Sequence, residues 1–405
     1  MRDSGKILVV SQFYAPDSST TAAYISAIAE ALAVDNRVVV LSGSRSSGVE
    51  AGGDGKPEVV EVRSWMPQKD ALIRRSIAIT LLALKMFFST LKRARRGDVV
   101  FCVTTPFTVP YAVVLAAKLR GAATILLVYD LYPEALEKTG LITPSSLTAR
   151  LIRLANTRLF RSLDAIITIG RDVEPLLLVY REVTSAKINL IPNWTLLPVG
   201  YRELISDNRF RAGHNSKLVV GLSGNLGFTH SPQTVFAAAR LLRDNPDIHF
   251  LLSGWGIGWK ELSELQAAEK LGNVTLMEPV PPAELADFLS AADVWVIPYL
   301  RNIAGVSIPS RLYNHLAVGR AIIVAAEPHS EASLVVNEDQ IGWVVPPEDP
   351  QALADAIVLA ASDRAATAQM GRRAAVAAEK YGPDSALKRY RELIQRVRQS
   401  AHRAE

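Results

Sequence analysis

Cysteine is almost missing from this sequence. Cys102 is the single one among 405 residues, so no internal disulfide can form, which fits a reducing compartment. It lies inside the apolar run VVFCV and reads as a small buried hydrophobe rather than a reactive thiol. No apolar run approaches the ~20 residues needed to span a bilayer; the longest, 77–91, is interrupted by Lys85. The opening MRDSGKILVV passes from charges straight into a strand-like run, without the apolar region and cleavage site of a secretory signal. No D-x-D occurs, and no His/Cys/Asp/Glu spacing resembles a metal site. Neither a P-loop nor a G-x-S-x-G elbow is present, and no period of 20–50 residues repeats. Histidine is scarce too: there are 6, and none precedes His214.

What is present is apolar and regularly spaced. Hydrophobic residues make up 49% and charged residues 21%, which excludes a disordered chain. At roughly 100–200 residues per domain the length suggests two or three domains, each able to bury a sizeable core. Short unbroken runs recur: KILVV (6–10), RVVVL (37–41), DVVFCV (98–103), TILLVY (124–129), AIITI (165–169) and KINLI (187–191). Runs without alternation suit strands buried on both faces, as in a parallel sheet. Helix-like segments at 21–33 and 109–121 fall between them, and alternating strand and helix predicts a doubly wound α/β sheet.

The pattern breaks over 193–217, which is polar and irregular, and a second series follows: KLVVGLSG, IHFLLSGWG, NVTLMEP, DVWVIPY, AIIVAAE and GWVVP. We expect a domain at 1–195, a second at 196–380, and a final helix within 381–405 packing back on the first. Two such domains put two sets of strand C-terminal edges across a cleft, where a ligand with phosphates would bind.

Four segments carry candidate chemistry. In SGNLGFTHSPQTV (223–235), Gly224 and Gly227 leave the loop after a strand open, and Ser231 and Pro232 start a helix as N-cap and N1. Such a turn either cradles a phosphate with backbone N–H groups or serves packing. In GWGIGWKEL (254–262), Gly254, Gly256 and Gly258 follow a strand without completing a dinucleotide fingerprint; the turn is expected to let a nucleotide donor lie close to the backbone at Gly254 and Gly256, and Trp255 and Trp259 either stack on a base or pack. In IPSRLYNHLAVG, Ser310 and Arg311 open a helix. A cation there opposes the helix dipole, so Arg311 either reaches a diphosphate, which its fork suits, or is a solvated surface residue. In LLVYDLYPEAL, Asp130 follows a buried strand, where its charge either orients an acceptor hydroxyl or caps a helix.

The charge is uneven. Between 68 and 97 stand Lys69, Arg74, Arg75, Lys85, Lys92, Arg93, Arg95 and Arg96 against Asp70 alone, around a dense apolar helix. This segment is expected to meet an anionic membrane surface, the competitor being a core helix with solvated ends. A second basic helix holds Arg150, Arg153, Arg158 and Arg161. No aromatic-basic interleaving suggests nucleic acid.

Taken in order, VSQFYAP, VTTPFTVP, VYDLYPE, LIPNW, SGNLGFTH, PSRLYNHLAVGRAII and GWVVPPEDPQALADAI resemble the bacterial GT-B glycosyltransferases of family 4, especially the branch building surface polysaccharides on lipid carriers. The likeness covers nearly the whole chain. It implies a GT-B fold of two Rossmann-like domains facing across a cleft, retention of anomeric configuration, and no bound metal or cofactor. It also implies a nucleotide-sugar donor on the C-terminal domain and a lipid-linked or other saccharide acceptor on the N-terminal one. Arg311 would hold the donor diphosphate, with Gly224, Asn225 and Gly227 near phosphates or sugar and backbone at Met277–Glu278 near the base. Ser330 and Glu331 would lie near the donor sugar, and Asp130 beside the reacting centre.

Two glutamates usual in the family are replaced by Val306 and Asn314, the latter still able to bond a ribose hydroxyl. Phe228 replaces a common basic residue, leaving Arg311, alone or together with His230, as the phosphate cation. With no early histidine, Asp130, Tyr129 or the leaving phosphate would act as base. These readings imply a cytoplasmic enzyme, peripheral on the inner face of the plasma membrane, that transfers a hexosyl or N-acetylhexosaminyl group. The alternatives are a nucleotide-sugar epimerase of the same fold or a non-catalytic nucleotide-sugar-binding relative.

Overall fold

The computed structural model describes residues 5–44, 55–65, 72–205 and 207–403. Lys69 and Asp70 of the basic stretch lie outside them. The strands are β1 Ile7–Ser11, β2 Val38–Ser42, β3 Glu58–Glu61, β4 Val99–Val103, β5 Ala123–Val128, β6 Ala165–Thr168 and β7 Ile188–Leu190, then β8 Leu218–Asn225, β9 Ile248–Trp255, β10 Val274–Met277, β11 Val294–Pro298, β12 Ala321–Ala325 and β13 Gly342–Val345. The helices are α1 Thr20–Ala33, α2 Leu72–Arg93, α3 Val109–Leu119, α4 Glu134–Lys138, α5 Leu147–Ser162 and α6 Glu174–Leu178, then α7 Pro232–Leu241, α8 Ile257–Glu269, α9 Leu285–Ala291, α10 Arg311–Ala317, α11 Glu331–Glu338, α12 Pro350–Ser362, α13 Arg364–Lys380 and α14 Pro383–Arg403.

The chain forms two compact units, one of Met1–Glu134, Ile142–Asn193 and Pro383–Glu405, the other of Ala135–Leu141 and Trp194–Gly382. The first holds a seven-stranded sheet ordered β3-β2-β1-β4-β5-β6-β7, the second a six-stranded sheet ordered β10-β9-β8-β11-β12-β13. Every strand pair is parallel. The unbroken apolar runs become strands for the reason their composition gives. β1, β2, β4, β5 and β6 are buried along their whole length, so both faces need apolar side chains. β3, EVVE, is an edge strand with charges at both ends, and no apolar run marks it in the sequence.

In the first unit the chain winds from β1 to β2 in one direction and from β3 through β4 and β5 to β6 in the other. Right-handed crossovers therefore set α1 on one face and α2, α3 and α5 on the opposite face. α14 packs against α1, β4 and β5, so it shares the face of α1. Ser19 caps α1, accepting from Ala22 N at 3.2 Å. Cys102 is fully buried in β4, and burial pushes its thiol up to about 12, as suits an inert core residue.

The second unit's core lies between its sheet and the helices α7, α8 and α12, with Trp259 packed against it. Among its described residues, the polar segment after Trp194 forms no strand or helix but is tied along α10. Leu196 N donates to Asn314 Oδ1 at 3.0 Å and Gly200 N to Ala317 O at 2.9 Å. Further on, a buried Arg211–Asp293 pair at 2.8 Å anchors it.

Candidate functional site

In the second unit the chain winds outward in both directions from the neighbours β8 and β11. Ligands of such sheets bind beyond the carboxyl ends of the strands at that switch point. β8 and β11 pair only at Val220↔Val294 and Gly221↔Trp295, whereas β8 stays with β9 as far as Asn225↔Trp255. Beyond Gly221 the central strands therefore part. Gly221 is required where they still touch, because a Cβ there would lie 2.4 Å from the Trp295 ring.

Arg311, the first residue of α10, reaches this opening. One terminal N–H donates to Ser223 O at 2.7 Å, and the other terminal nitrogen donates to Asn225 O. These carbonyls belong to the end of β8, so the guanidinium is aimed by backbone rather than by another side chain. Among the described residues no carboxylate pairs with it, and burial pulls its pKa down to about 10. A half-buried guanidinium without an anion is an expensive arrangement in a protein. Two of its five donors are used, and the rest suit an anionic, bidentate ligand.

Glycines shape the wall around it. Gly224 has φ +97, a conformation other residues rarely adopt, and a Cβ on it would lie 3.5 Å from Arg311 Cζ. Gly254 and Gly256 let the β9 loop lie against the β8 loop. A Cβ on Gly254 would meet Gly224 O at 2.6 Å, and one on Gly256 (φ +100) would meet Asn225 Oδ1 at 2.7 Å. Gly258 likewise abuts Pro232 and Leu226. The GWG segment is thus a packing device that holds the Gly224–Asn225 turn in place. Of its tryptophans, Trp259 is taken up by the core, and Trp255 stays 48% exposed at the strand end. A Cβ on Gly227 would meet only Asn225 Nδ2, at 3.7 Å, so that part of the turn is open.

The other candidates lie along the same strand edge with differing freedom. Ser231 does not cap α7 with its side chain; its hydroxyl pairs with Thr234 Oγ1 at 2.8 Å. His230 does not join Arg311 as a second cation. Burial, with Arg311 nearby, holds its pKa well below the usual range, so it is a neutral ring whose Nδ1 sits 3.1 Å from Thr229 Oγ1. Met277 ends β10, and Glu278 O accepts from Ser253 Oγ at 2.9 Å, fixing that backbone. Ser310 precedes α10, and its hydroxyl caps no backbone N–H. Asn314 Oδ1 accepts from Leu196 N, which orients the amide and leaves its N–H groups and one oxygen lone pair for a ligand. Ser330 caps α11, accepting from Ser333 N at 3.3 Å, and Glu331 is buried in the first turn of that helix.

Asp130 lies in the first unit, just past β5. Its backbone N and that of Tyr129 donate to Thr104 Oγ1 at 3.3 and 3.0 Å, tying the ends of β4 and β5 together. Burial raises its carboxyl to about 6, within reach of a general base near neutrality. Burial, with Tyr390 and Tyr24 adding to it, pushes the Tyr129 hydroxyl far above its ordinary value, which disfavours it as a base beside Asp130. Sequence reasoning missed what holds this loop. Buried Asn156 of α5 donates through Nδ2 to Tyr132 O at 2.5 Å and accepts from Tyr111 Oη at 2.6 Å. Tyr180 Oη accepts from Asn156 Nδ2 at 2.9 Å and donates to Glu134 Oε1 at 3.0 Å. An asparagine on the sheet-facing side of α5 was the available signal. Glu134 therefore serves this network.

Residues 19–194 match the glycosyl transferase 4-like domain and residues 217–363 the glycosyl transferases group 1. The chain is 28% identical over 292 residues to a probable glycosyltransferase, WbjE, of Pseudomonas aeruginosa, covering 71% of this chain and 72% of the relative. It is 26% identical over 310 residues to WcaI of Escherichia coli K12, a putative colanic acid biosynthesis glycosyl transferase, covering 74% and 75%. Among solved structures, sucrose-phosphate synthase from Thermosynechococcus elongatus superposes with a TM-score of 0.75 at 16% identity, covering 98% of this chain and 100% of that one. Anabaena HepE in complex with UDP-glucose gives 0.69 at 17%, covering 96% and 99%. At such identities these structures speak for the fold, which is GT-B, and the two family matches, spanning most of the sequence between them, place the chain among the GT4-like, group 1 glycosyl transferases.

Proposed function

We propose that this protein is a retaining glycosyltransferase. It would move a hexosyl or N-acetylhexosaminyl group from a nucleotide-sugar, a UDP-sugar first of all, to a lipid-linked saccharide in surface polysaccharide assembly. The observation that carries the reading is Arg311, aimed by two backbone carbonyls at the β8/β11 switch point without a carboxylate partner among the described residues. As the bond from the anomeric carbon to the leaving oxygen breaks, charge builds on the diphosphate. Arg311 and the Gly224–Gly227 backbone would stabilise it there, the kind of contact that strengthens in the transition state. Ser310, Asn314, His230, Met277–Glu278 and Ser330–Glu331 would bound the remaining donor surface. Asp130 would orient the acceptor hydroxyl, and its proton would pass to that carboxylate or to the departing phosphate. Metal independence is part of the proposal.

The choice of UDP is supported by HepE, which binds UDP-glucose, and the pathway by WcaI, named for colanic acid biosynthesis. No helix among the described residues is long and apolar enough to cross a membrane. α2, the described part of the 68–97 segment, exposes Ile77, Leu84 and Phe88 beside Arg74 and Lys85. This supports placing the enzyme peripherally on the inner face of the plasma membrane.

A thermal-shift screen across UDP, GDP, CDP, ADP and their sugars tests the donor, since a selective ligand raises the melting temperature by mass action. NMR of the stabilising donor with lipid-linked saccharides in EDTA tests the rest. The expected product keeps the donor's anomeric configuration. Epimerised sugar without an acceptor, or no turnover of any stabilising donor, would reject the proposal.

A further inference from the structure

α2 packs beside α3, and α3 beside α5, as one layer over a single face of the seven-stranded sheet. Lysine and arginine number five on α2, one on α3 and four on α5, and none of the three helices carries an aspartate or glutamate. Both outer helices bear a second apolar stripe that the core does not use. On α5, Leu147, Leu151 and Leu154 recur at helical spacing on the solvent side, while Ala149, Asn156 and Phe160 are buried. On α2, Ile77, Leu81, Leu84 and Phe88 do the same. Between them α3 exposes Leu115 and Leu119, one turn apart. Single exposed leucines are ordinary, but runs of them on three adjacent helices are not.

The other face of the same sheet provides the contrast. Neither α1 nor α14 exposes a large apolar side chain among the described residues. α14 is cationic, yet it also carries Asp384 and Glu392, and three of its arginines are engaged: Arg389 bonds Leu190 O, Arg396 bonds Asn189, and Arg398 bonds Asn36 and Gly5 O. Positive charge alone therefore does not mark the α2–α3–α5 layer; apolar exposure joined to helices that carry no acid does, even though Lys118 and Arg153 pair with Asp164 and Glu134 outside those helices.

We infer that the whole α2–α3–α5 layer, and not α2 alone, is a docking face for an anionic lipid bilayer. It rests on the membrane placement proposed above and extends it to α3 and α5. Cations of one sign spread around an apolar centre match a surface of uniform opposite charge, with leucines entering the headgroup boundary and arginines meeting phosphates. A second copy of this chain does not fit, because a two-fold contact would set ten cations against ten. α5 also carries Asn156 on its inner side, so the helix that would lie on lipid is the one that braces the Asp130 loop.

The test is flotation of the full-length protein with phosphatidylcholine vesicles, with and without phosphatidylglycerol, at low and high salt. The wild type is expected to float only with the anionic vesicles and to be released by salt. Leu147→Gln/Leu151→Gln on α5 and Ile77→Gln/Phe88→Gln on α2 are each expected to raise the lipid needed by about tenfold or more. Arg150→Gln/Arg158→Gln, at exposed positions that spare folding, is expected to weaken binding by about fivefold per cation. Melting temperature and its response to UDP report that the variants are folded. If both α5 variants float like the wild type while the α2 variant does not, the layer is overturned and the α2 placement stands. If the wild type ignores anionic vesicles at low salt, both fall. A dimer that Leu147→Gln/Leu151→Gln converts to monomer would assign the face to self-association and overturn the inference.

Discussion

In the second unit the strand-end opening holds a cation, Arg311, fixed by carbonyls of the glycine-rich turn after β8. In the first unit the same kind of edge holds an acid, Asp130, fixed by the Thr104 hydroxyl after β4. Both sheets share one winding pattern, so the difference lies in what the loops present. Burial acts on the two groups in opposite senses, pulling the guanidinium down to about 10 and raising the carboxyl to about 6. At neutral pH the arginine stays charged, while the carboxyl lies about one unit above its midpoint and is mostly ionised. In the proposed reaction one edge would hold an anion and the other would handle a proton. The units also differ in histidine: five of six lie in the second unit, and the sixth, His402, is in the first.

The sharpest way to break this contrast is at the cation. Arg311→Ala should lower turnover by about 10²–10³-fold, as loss of one transition-state donor does elsewhere; steady-state kinetics with saturating acceptor would show it. Near-wild-type turnover would remove Arg311 from the chemistry.

Asp130→Asn should cost about 10²-fold in turnover while leaving donor affinity unchanged, because its role lies on the acceptor side. The wild-type rate should rise with pH through about 6 as the carboxyl ionises, and the variant should lack that limb. A variant that loses UDP affinity instead would contradict the division of labour.

The histidines allow the units to be separated by acid. His249 is held down to about 4 and His315 to about 3, in both cases first by burial. His315 is wholly buried and stacks on Trp295 at 4.9 Å. Both native rings stay neutral where unfolded histidine, near 6.5, takes a proton. Their stabilising contribution is complete above about 6.5 and is lost as pH falls toward 4, amounting to roughly 2–3 kcal/mol per histidine by pH 4.5. Hydrogen exchange at falling pH should show the second unit opening before the first, and His315→Leu should flatten that dependence. Equal loss of protection in both units would refute it.

A smaller effect is expected at the turn. Gly256→Ala places a Cβ against Asn225 Oδ1 at a φ of +100 and should cost about 1–3 kcal/mol of stability. Melting should show it, together with weaker UDP binding. Unchanged values for both would mean the turn adapts freely.

Much of this was legible beforehand, for identifiable reasons. The unbroken Val/Ile runs reported two-sided burial, so the central strands and the parallel sheets could be read directly. β3 could not, because an edge strand of four residues bounded by glutamates lacks that signature. At the site, the glycines and Arg311 were visible as residue types, but their contact was not. Arg311 reaches carbonyls 86 and 88 positions away, a separation set by the strand order. Asn314 looked like a ribose ligand, and only the fold shows that its oxygen receives Leu196 N. At His230 the burial that holds the ring's pKa down cannot be read from neighbours in sequence. The Asn156 network escaped notice because its four elements meet only in three dimensions.

The central claim is that the second unit holds a donor diphosphate on Arg311 at the β8/β11 opening, and it is tested most directly by calorimetric titration of UDP into the wild type and Arg311→Ala. The account predicts binding by the wild type and an affinity at least about tenfold weaker in the variant, the scale of one charge-assisted contact. Equal affinities in two equally folded proteins would contradict it.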